Sequence, residues 1–305
     1  MMRSLVEISA LAGLEEPVNL AVGVFDGVHR GHAAVIAAVS ERAGTTAVLT
    51  FDPHPVRILC RERAPLQITT LEHKQHILGK VGIECLLVIR FDQQRASQEA
   101  EEFVREIAAA CQLGCVAVGV GFRFGKDREG DLALLRDLGG ELGFEVCGID
   151  PVRDCGGQVI SSTRVRAALD AGDIDCVTGL LGRDYSLFGE VEEGRRMGRQ
   201  MGFPTANISL QNEQLPSFGV YAVGVDLEGE YITGVANLGR RPTLNETQAE
   251  VLLEVHLFNF DRDIYGRRLE VFFKSRIRDE RRFDSIESLR EQIGRDIAVA
   301  QSLAG

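Results

Sequence analysis

The chain has 305 residues, 45% of them apolar, and a formal net charge of −11. That length accommodates two ordinary domains, each with its own core. No apolar run approaches a membrane span, and the acidic balance argues against general binding to nucleic acid or anionic membrane, so any bound anion must be held locally.

The opening segment MMRSLVEISALAGLEE carries glutamates inside its apolar pattern and lacks a signal-peptide core, which predicts no cleaved leader. VNLAVGVF, residues 18–25, reads as a buried strand, and HAAVIAAVSERAG after it as a helix. The pair recurs as TTAVLTF with LEHKQHILGKVG, and as CLLVIRF with the long helical stretch SQEAEEFVREIAAACQLG. CVAVGV, DLALLRDLGGELG and FEVCGI continue it. Such alternation predicts an α/β, Rossmann-like domain over 1–182, a parallel sheet with helices on both faces and ligands beyond the carboxyl ends of its strands. From Tyr185 the pattern turns mostly β, through YSLFGEV, GVYAVGVD, YITGVANLG, LLEVHLFNF and RRLEVFFKSRI. A helix over roughly 285–303 closes this second domain, 183–305, against a small barrel or sandwich. Seven cysteines without a CxxC pair read as buried free thiols of a reducing cytoplasm.

Several short segments carry chemistry. GVFDGVHRGH, residues 23–32, joins the first strand to a helix and puts His29 and His32 where unpaired N–H groups and the helix dipole attract anions. Gly27 permits the tight turn, and Gly31 is expected to let a ligand approach the backbone. Two imidazoles there would donate hydrogen bonds to phosphate oxygens; on spacing alone, two surface histidines of a loop remain the alternative. In ISSTRVRAAL, Ser161, Ser162 or Thr163 suits an N-cap. Arg164 and Arg166 in the first turn oppose the helix dipole, and a bound polyphosphate would explain them. GRRMGRQMGFPTANI places Gly194, Gly198 and Gly202 among arginines such as Arg199, a flexible cationic cradle for phosphate. Its Thr205 and Asn207 offer a hydroxyl and an amide oxygen, hard ligands for Mg²⁺ beside nucleotide phosphates. Glu254 stands in an apolar strand pattern where an unpaired carboxylate is costly, and a salt-bridged structural role and a catalytic one are both open. The charged run RIRDERR reads as a solvated face, with Arg278 as a weaker candidate for ligand contact.

Taken in order, GVFDGVHRGH, TFDPHP, FRFGKDREGD and ISSTRVR resemble the FMN adenylyltransferase module of bacterial bifunctional riboflavin kinase/FAD synthetases. GRRMGRQMGFPTANI, GVYAV, GVANLGRRPT and LEVHLFNFDRDIYG resemble the riboflavin kinase module of the same enzymes. The resemblance implies phosphorylation of riboflavin to FMN by ATP, then adenylylation of FMN by a second ATP to give FAD and pyrophosphate. It implies Glu254 as general base of the kinase, His29 and His32 as the catalytic pair of the transferase, and Mg²⁺ at Thr205 and Asn207. Nucleotide contacts are implied for Gly23, Phe25, Asp26, Gly31, Ser162, Thr163, Arg164, Gly194, Gly198, Arg199 and Gly202. Flavin contacts are implied for Phe51, Asp52, His54, Phe122 and Phe124. The expected partners are riboflavin, FMN, ATP and FAD, with neither nucleic acid nor membrane, in a monomer or weak homo-oligomer of the cytoplasm. One departure stands out: Gly121 in GVGFRFG occupies a place where the family carries an acidic or amide residue. That glycine alone favours the competing expectation, a riboflavin kinase whose N-terminal half binds flavin or nucleotide weakly or without catalysis.

Overall fold

The computed structural model describes residues 2–193, 202–241 and 250–303. The chain forms two compact units, Met1–Ser162 and Thr163–Gly305.

In the first unit, strands β1 (Arg3–Leu5), β2 (Val18–Val22), β3 (Thr45–Asp52), β4 (Cys85–Arg90), β5 (Leu113–Gly119) and β6 (Glu145–Ile149) make one sheet. Its order is β1-β4-β3-β2-β5-β6, and every pairing is parallel. Helices α1 (Arg30–Ser40), α2 (Pro55–Leu59), α3 (Leu71–Lys80), α4 (Gln93–Ala96), α5 (Ala100–Ala110) and α6 (Leu132–Leu142) lie between the strands. All five residues of β2 are buried, as a central strand covered on both faces requires. One face packs Leu20, Val22 and Leu49 against Phe103, Val104 and Leu135 of α5 and α6. The opposite face packs Ala21, Val48 and Leu86 against Val35, Val39 and Leu78 of α1 and α3. Strand β2 is shorter than the apolar run 18–25, because Phe25, Gly27 and Val28 take φ of 52°, 82° and 42° and turn the chain out of the sheet. The long helical stretch over 97–114 narrows to α5, since Cys111 is already extended and Leu113 begins β5.

The second unit opens with α7 (Ser162–Ala171) and α8 (Ile174–Leu181), the latter capped by Asp173 and stopped by Gly182 in the left-handed region. Strands β7 (Tyr185–Glu192), β8 (Ala206–Leu210), β9 (Gly219–Leu227), β10 (Glu230–Arg241), β11 (Glu250–Leu257) and β12 (Arg268–Asp279) follow, then α9 (Ile286–Leu303). They close into an antiparallel barrel of order β10-β11-β8-β7-β12-β9, which decides between barrel and sandwich. Alternation does the sorting. Val220, Ala222 and Val235 form one cluster with Ile297 and Ala300 of α9, whereas Tyr221 stacks edge-on to Phe273 at 5.0 Å. The seven thiols are free, but the expectation of burial fails at Cys60 and Cys155, which are exposed in connecting segments.

Candidate active sites

In the first sheet β2 stands between β3 and β5, where the strand order reverses, and ligands of open parallel sheets bind beyond such a point. Segment 23–32 follows β2 and the turn at 120–122 follows β5, so the sequence motifs flank that point. A buried carboxylate builds the first turn: Asp26 Oδ1 accepts from the backbone N–H of Ile68 at 3.0 Å and of Thr69 at 3.1 Å. Gly27 N donates to Thr69 Oγ1 at 3.2 Å. Asp26 therefore shapes the loop. Phe25, 1% exposed, meets the His32 ring edge-on at 5.3 Å, and a Cβ on Gly23 would touch its ring at 3.2 Å.

His29 is the N-cap of α1 and His32 its third residue. His29 Nδ1 accepts from His32 N, and His32 Nδ1 accepts from His29 N, each at 3.3 Å. Imidazole replaces the usual serine and glutamate of such a box. Because both Nδ1 atoms accept, each ring carries its proton on Nε2 and presents an N–H donor there. The rings stack at 3.6 Å with 12° between planes. Gly31 also serves this stack: a Cβ there would lie 3.1 Å from His29 Nδ1 and Cε1.

Ser162 Oγ donates to the Asp26 carbonyl at 2.9 Å, tying the last residue of the first unit to the histidine loop. Thr163 is exposed and Arg164 half-buried in the first turn of α7; Arg166, the fifth residue of the helix, lies just past that turn. Of the expected flavin residues, Phe51 and Phe124 belong to the apolar core, while Phe122 stacks on Phe124 at 5.5 Å and is half-buried. Asp52 is half-buried at the end of β3, and His54 caps α2 by accepting from Val56 N at 3.2 Å. Gly121 is exposed in its turn, with no atom within 4 Å of where a Cβ would stand.

One residue of this region escaped the sequence reading. Lys74 is 6% exposed, and its Nζ donates to the Val24 carbonyl at 2.8 Å and to Thr50 Oγ1 at 3.2 Å. Burial pushes its ammonium down to about 8, against the opposing pull of Asp26 and Asp52. The signal was a lysine at helical spacing from Leu71, Ile77 and Leu78, on the face that α3 buries.

In the barrel the register assembles a polar row. Asn207 lies opposite Glu254, Glu254 opposite Asn237, Asn237 opposite Val220, and Val220 opposite Arg278. Directly opposed residues share a face, so Glu254 leaves the apolar set Leu253, Val255, Leu257 and stands between two amides. A cavity of about 350 Å³ is lined by Asn237, Glu254, His256 and Arg278, with Leu289 and Ile293 of α9. A second, of about 330 Å³, is lined by Pro204, Ala206 and residues 260–265. Thr205 lines both. His256 Nδ1 lies 2.7 Å from the Pro204 carbonyl, holding the residue before Thr205. Gly202 is exposed with φ 86°; Gly194, Gly198 and Arg199 lie outside the described residues.

The reading of RIRDERR as a solvated face needs correcting at Arg278. Its Nε donates to both Asp296 carboxylate oxygens at 3.0 Å and its Nη2 to Oδ2 at 2.7 Å, turning it onto α9 and the cavity wall. Asp296 stands on α9, beyond the reach of a local motif. Among the described residues no three His, Cys, Asp or Glu side chains gather as a metal site. The two uncharged oxygen donors of Thr205 and Asn207 fit an ion such as Mg²⁺, which keeps waters and arrives with substrate phosphates.

Comparison with known proteins follows the same division. The family profile for FAD synthetase matches residues 13–164, and that for riboflavin kinase residues 181–304. The chain is 38% identical over 297 residues to the bifunctional riboflavin kinase/FMN adenylyltransferase of Escherichia coli (strain K12), covering 95% of this chain and 94% of that one. Its counterpart in Pseudomonas fluorescens is 40% identical over 93% of this chain and 92% of that one. The Bacillus subtilis (strain 168) protein of the same name is 38% identical over 91% and 89%. A crystal structure described as macrolide-efflux protein from Streptococcus pneumoniae superposes with a TM-score of 0.80 at 31% identity, over 93% of this chain and 94% of that one. Among the described residues of this chain no helix is long and apolar enough to cross a membrane. Both halves are matched along nearly their full length by relatives carrying both activities in their names, which favours the two-enzyme expectation over a kinase with a non-catalytic partner. The chain belongs to the family of bifunctional riboflavin kinase/FMN adenylyltransferases.

Proposed function

We propose that this chain makes FAD from riboflavin in two ATP-consuming steps, one per domain, with 183–305 as the kinase and 1–182 as the adenylyltransferase. In the kinase, riboflavin takes the cavity walled by Glu254 and Arg278, and ATP the neighbouring one, with its γ-phosphoryl group at Thr205 between them. Glu254 accepts the proton of the ribityl 5′-hydroxyl as its oxygen bonds to the γ-phosphorus and ADP departs. Asn207 and Asn237 flank that carboxylate and orient it; Thr205 and Asn207 would hold Mg²⁺, which supplies charge neutralisation on the phosphates when bound. Catalysis here is mainly positioning. In the transferase, an FMN phosphate oxygen attacks the α-phosphorus of ATP and pyrophosphate leaves. His29 and His32 donate from Nε2 to the α-phosphoryl oxygens as charge builds, and Ser162, Thr163 and Arg164 hold the β- and γ-phosphates. No covalent intermediate with the protein is needed. We assign the enzyme to the cytoplasm as a monomer or weak homo-oligomer.

The observation that carries the reading is the row Asn207–Glu254–Asn237 beside Thr205, the wall common to two cavities. Purified protein incubated with riboflavin and MgATP, with the products separated by chromatography, tests it. FMN appears first and FAD after it; FMN accumulating without FAD at any time would refute the transferase assignment.

A further inference from the structure

The loop that presents the two histidines is bent through Phe25 and Val28, both with positive φ, a backbone state that non-glycine residues hold only when their surroundings over-determine it. Asp26 secures the far side of that loop by its bonds to residues 68 and 69. On its near side, where the chain leaves β2, Gly23 N donates to the Leu49 carbonyl at 3.1 Å and the next turn is held through the Val24 carbonyl. The Val24 carbonyl accepts from Thr50 Oγ1 at 2.9 Å and from Lys74 Nζ at 2.8 Å, and Lys74 also donates to Thr50 Oγ1 at 3.2 Å. Thr50 is completely buried and Lys74 almost so, which puts this triangle out of reach of substrate. An ammonium there joins the carboxyl ends of β2 and β3 to α3, directly behind the turn.

We propose that Lys74 is a positioning residue of the adenylyltransferase: its buried ammonium clamps the Val24 carbonyl and Thr50, and so fixes the bend that sets His29 and His32 in place. The proposal rests on the assignment of adenylyl transfer to that histidine pair. The charged groups facing Lys74 are Asp26, from the loop after β2, and Asp52, at the end of β3, and both favour its charged form. His73 is buried on its own helix. Because the ammonium titrates near pH 8 in the folded state against an ordinary value of 10.5, structure and activity respond to alkali in opposite directions. Between those two values the unfolded chain binds more protons at this site than the folded one, so folding stability rises with pH. The clamp weakens over the same interval as its charge is lost. A purely structural lysine would give the first effect without the second.

The test compares wild type and Lys74→Met from pH 6.5 to 9.5, following FMN formation and FMN adenylylation separately in the same protein. Wild-type adenylylation should fall on an alkaline limb near pH 8 that FMN formation does not share. Lys74→Met should lose on the order of 30- to 100-fold in adenylylation kcat, lack that limb, and form FMN at the wild-type rate. Should the variant fail to fold, the wild-type profiles still decide. Equal pH dependence of the two steps overturns the proposal, as does a variant that adenylylates FMN within threefold of wild type. Wild type that makes no FAD at any pH would instead refute the underlying assignment.

Discussion

Removing the carboxylate of Asp296 tests whether the terminal helix is part of the cavity proposed for riboflavin or merely covers the barrel. The side chains of Arg278 and Asp296 are 19% and 5% exposed, and their ion pair is bidentate. Gln292 adds a bond from Nε2 to Asp296 Oδ1 at 2.7 Å, and Arg281 donates in turn to Gln292. Asp296→Ala strands the guanidinium and an amide N–H at once. Breaking a buried pair from one side costs about 3–5 kcal/mol. Because the Arg278 side chain is partly exposed, the expectation is about 2–4 kcal/mol, or roughly a 10 °C fall in the melting temperature of the barrel unit. Calorimetry reads it, with the barrel transition identified by its rise on adding riboflavin. The paired replacement Arg278→Met with Asp296→Leu separates stability from binding. An apolar substitute for a buried pair is close to neutral in stability. The KM for riboflavin should nevertheless rise at least about tenfold, because the cavity wall loses its cation. A melting shift below about 2 °C for Asp296→Ala, or an unchanged KM in the paired variant, would refute the reasoning.

Other expectations concern the two reacting centres. His32→Ala should cut adenylylation by about 10²–10³, the cost of removing one donor to a developing charge, and leave FMN formation intact; Glu254→Gln should do the reverse, with FAD still made from supplied FMN. Product analysis with each substrate checks both, and a single folded variant losing both steps would defeat the division of labour. Gly31→Ala should shift the His29 ring by a few tenths of an ångström within its stack, since the added Cβ would stand 3.1 Å from that ring, and slow adenylylation several-fold without altering the kinase. Unchanged adenylylation by Gly31→Ala would show that the stack is dispensable. Gly121→Asn adds a polar side chain in open space, and a restored ligand hydrogen bond of about 0.5–1.5 kcal/mol predicts a two- to tenfold gain in kcat/KM for FMN. No gain would mean that the missing contact is replaced elsewhere.

How much of this was legible in the sequence depended on how local the cause was. The parallel sheet followed from buried apolar runs alternating with amphipathic ones, and His29 and His32 followed from their place between strand and helix. Their mutual capping did not, because a box of two imidazoles has no propensity signature. Glu254 read as an anomaly in an apolar run until the strand register paired it with Asn207 and Asn237, residues distant in sequence. Phe51 and Phe124 carried the family's aromatic motif, yet packing against Phe103 places them in the core; the motif records their position but not their burial. Asp296 was unreadable for the same reason, and Lys74 showed only as a lysine on the apolar side of its helix, with nothing to say what it holds. Each is a charged residue on a helix whose partners lie on other elements, and only the tertiary arrangement brings them together.

The reciprocal cap at the start of α1 has a bearing on how such an enzyme can decay. Its two imidazoles close the helix end and are also the pair proposed for adenylyl transfer, so chemistry and architecture would draw on the same two side chains. A lineage that relaxed selection on FAD synthesis could not discard either ring silently: the first turn of that helix would fray with it. Loss of this activity should therefore leave a footprint in folding, and a descendant that no longer needs the reaction still has reason to keep its histidines.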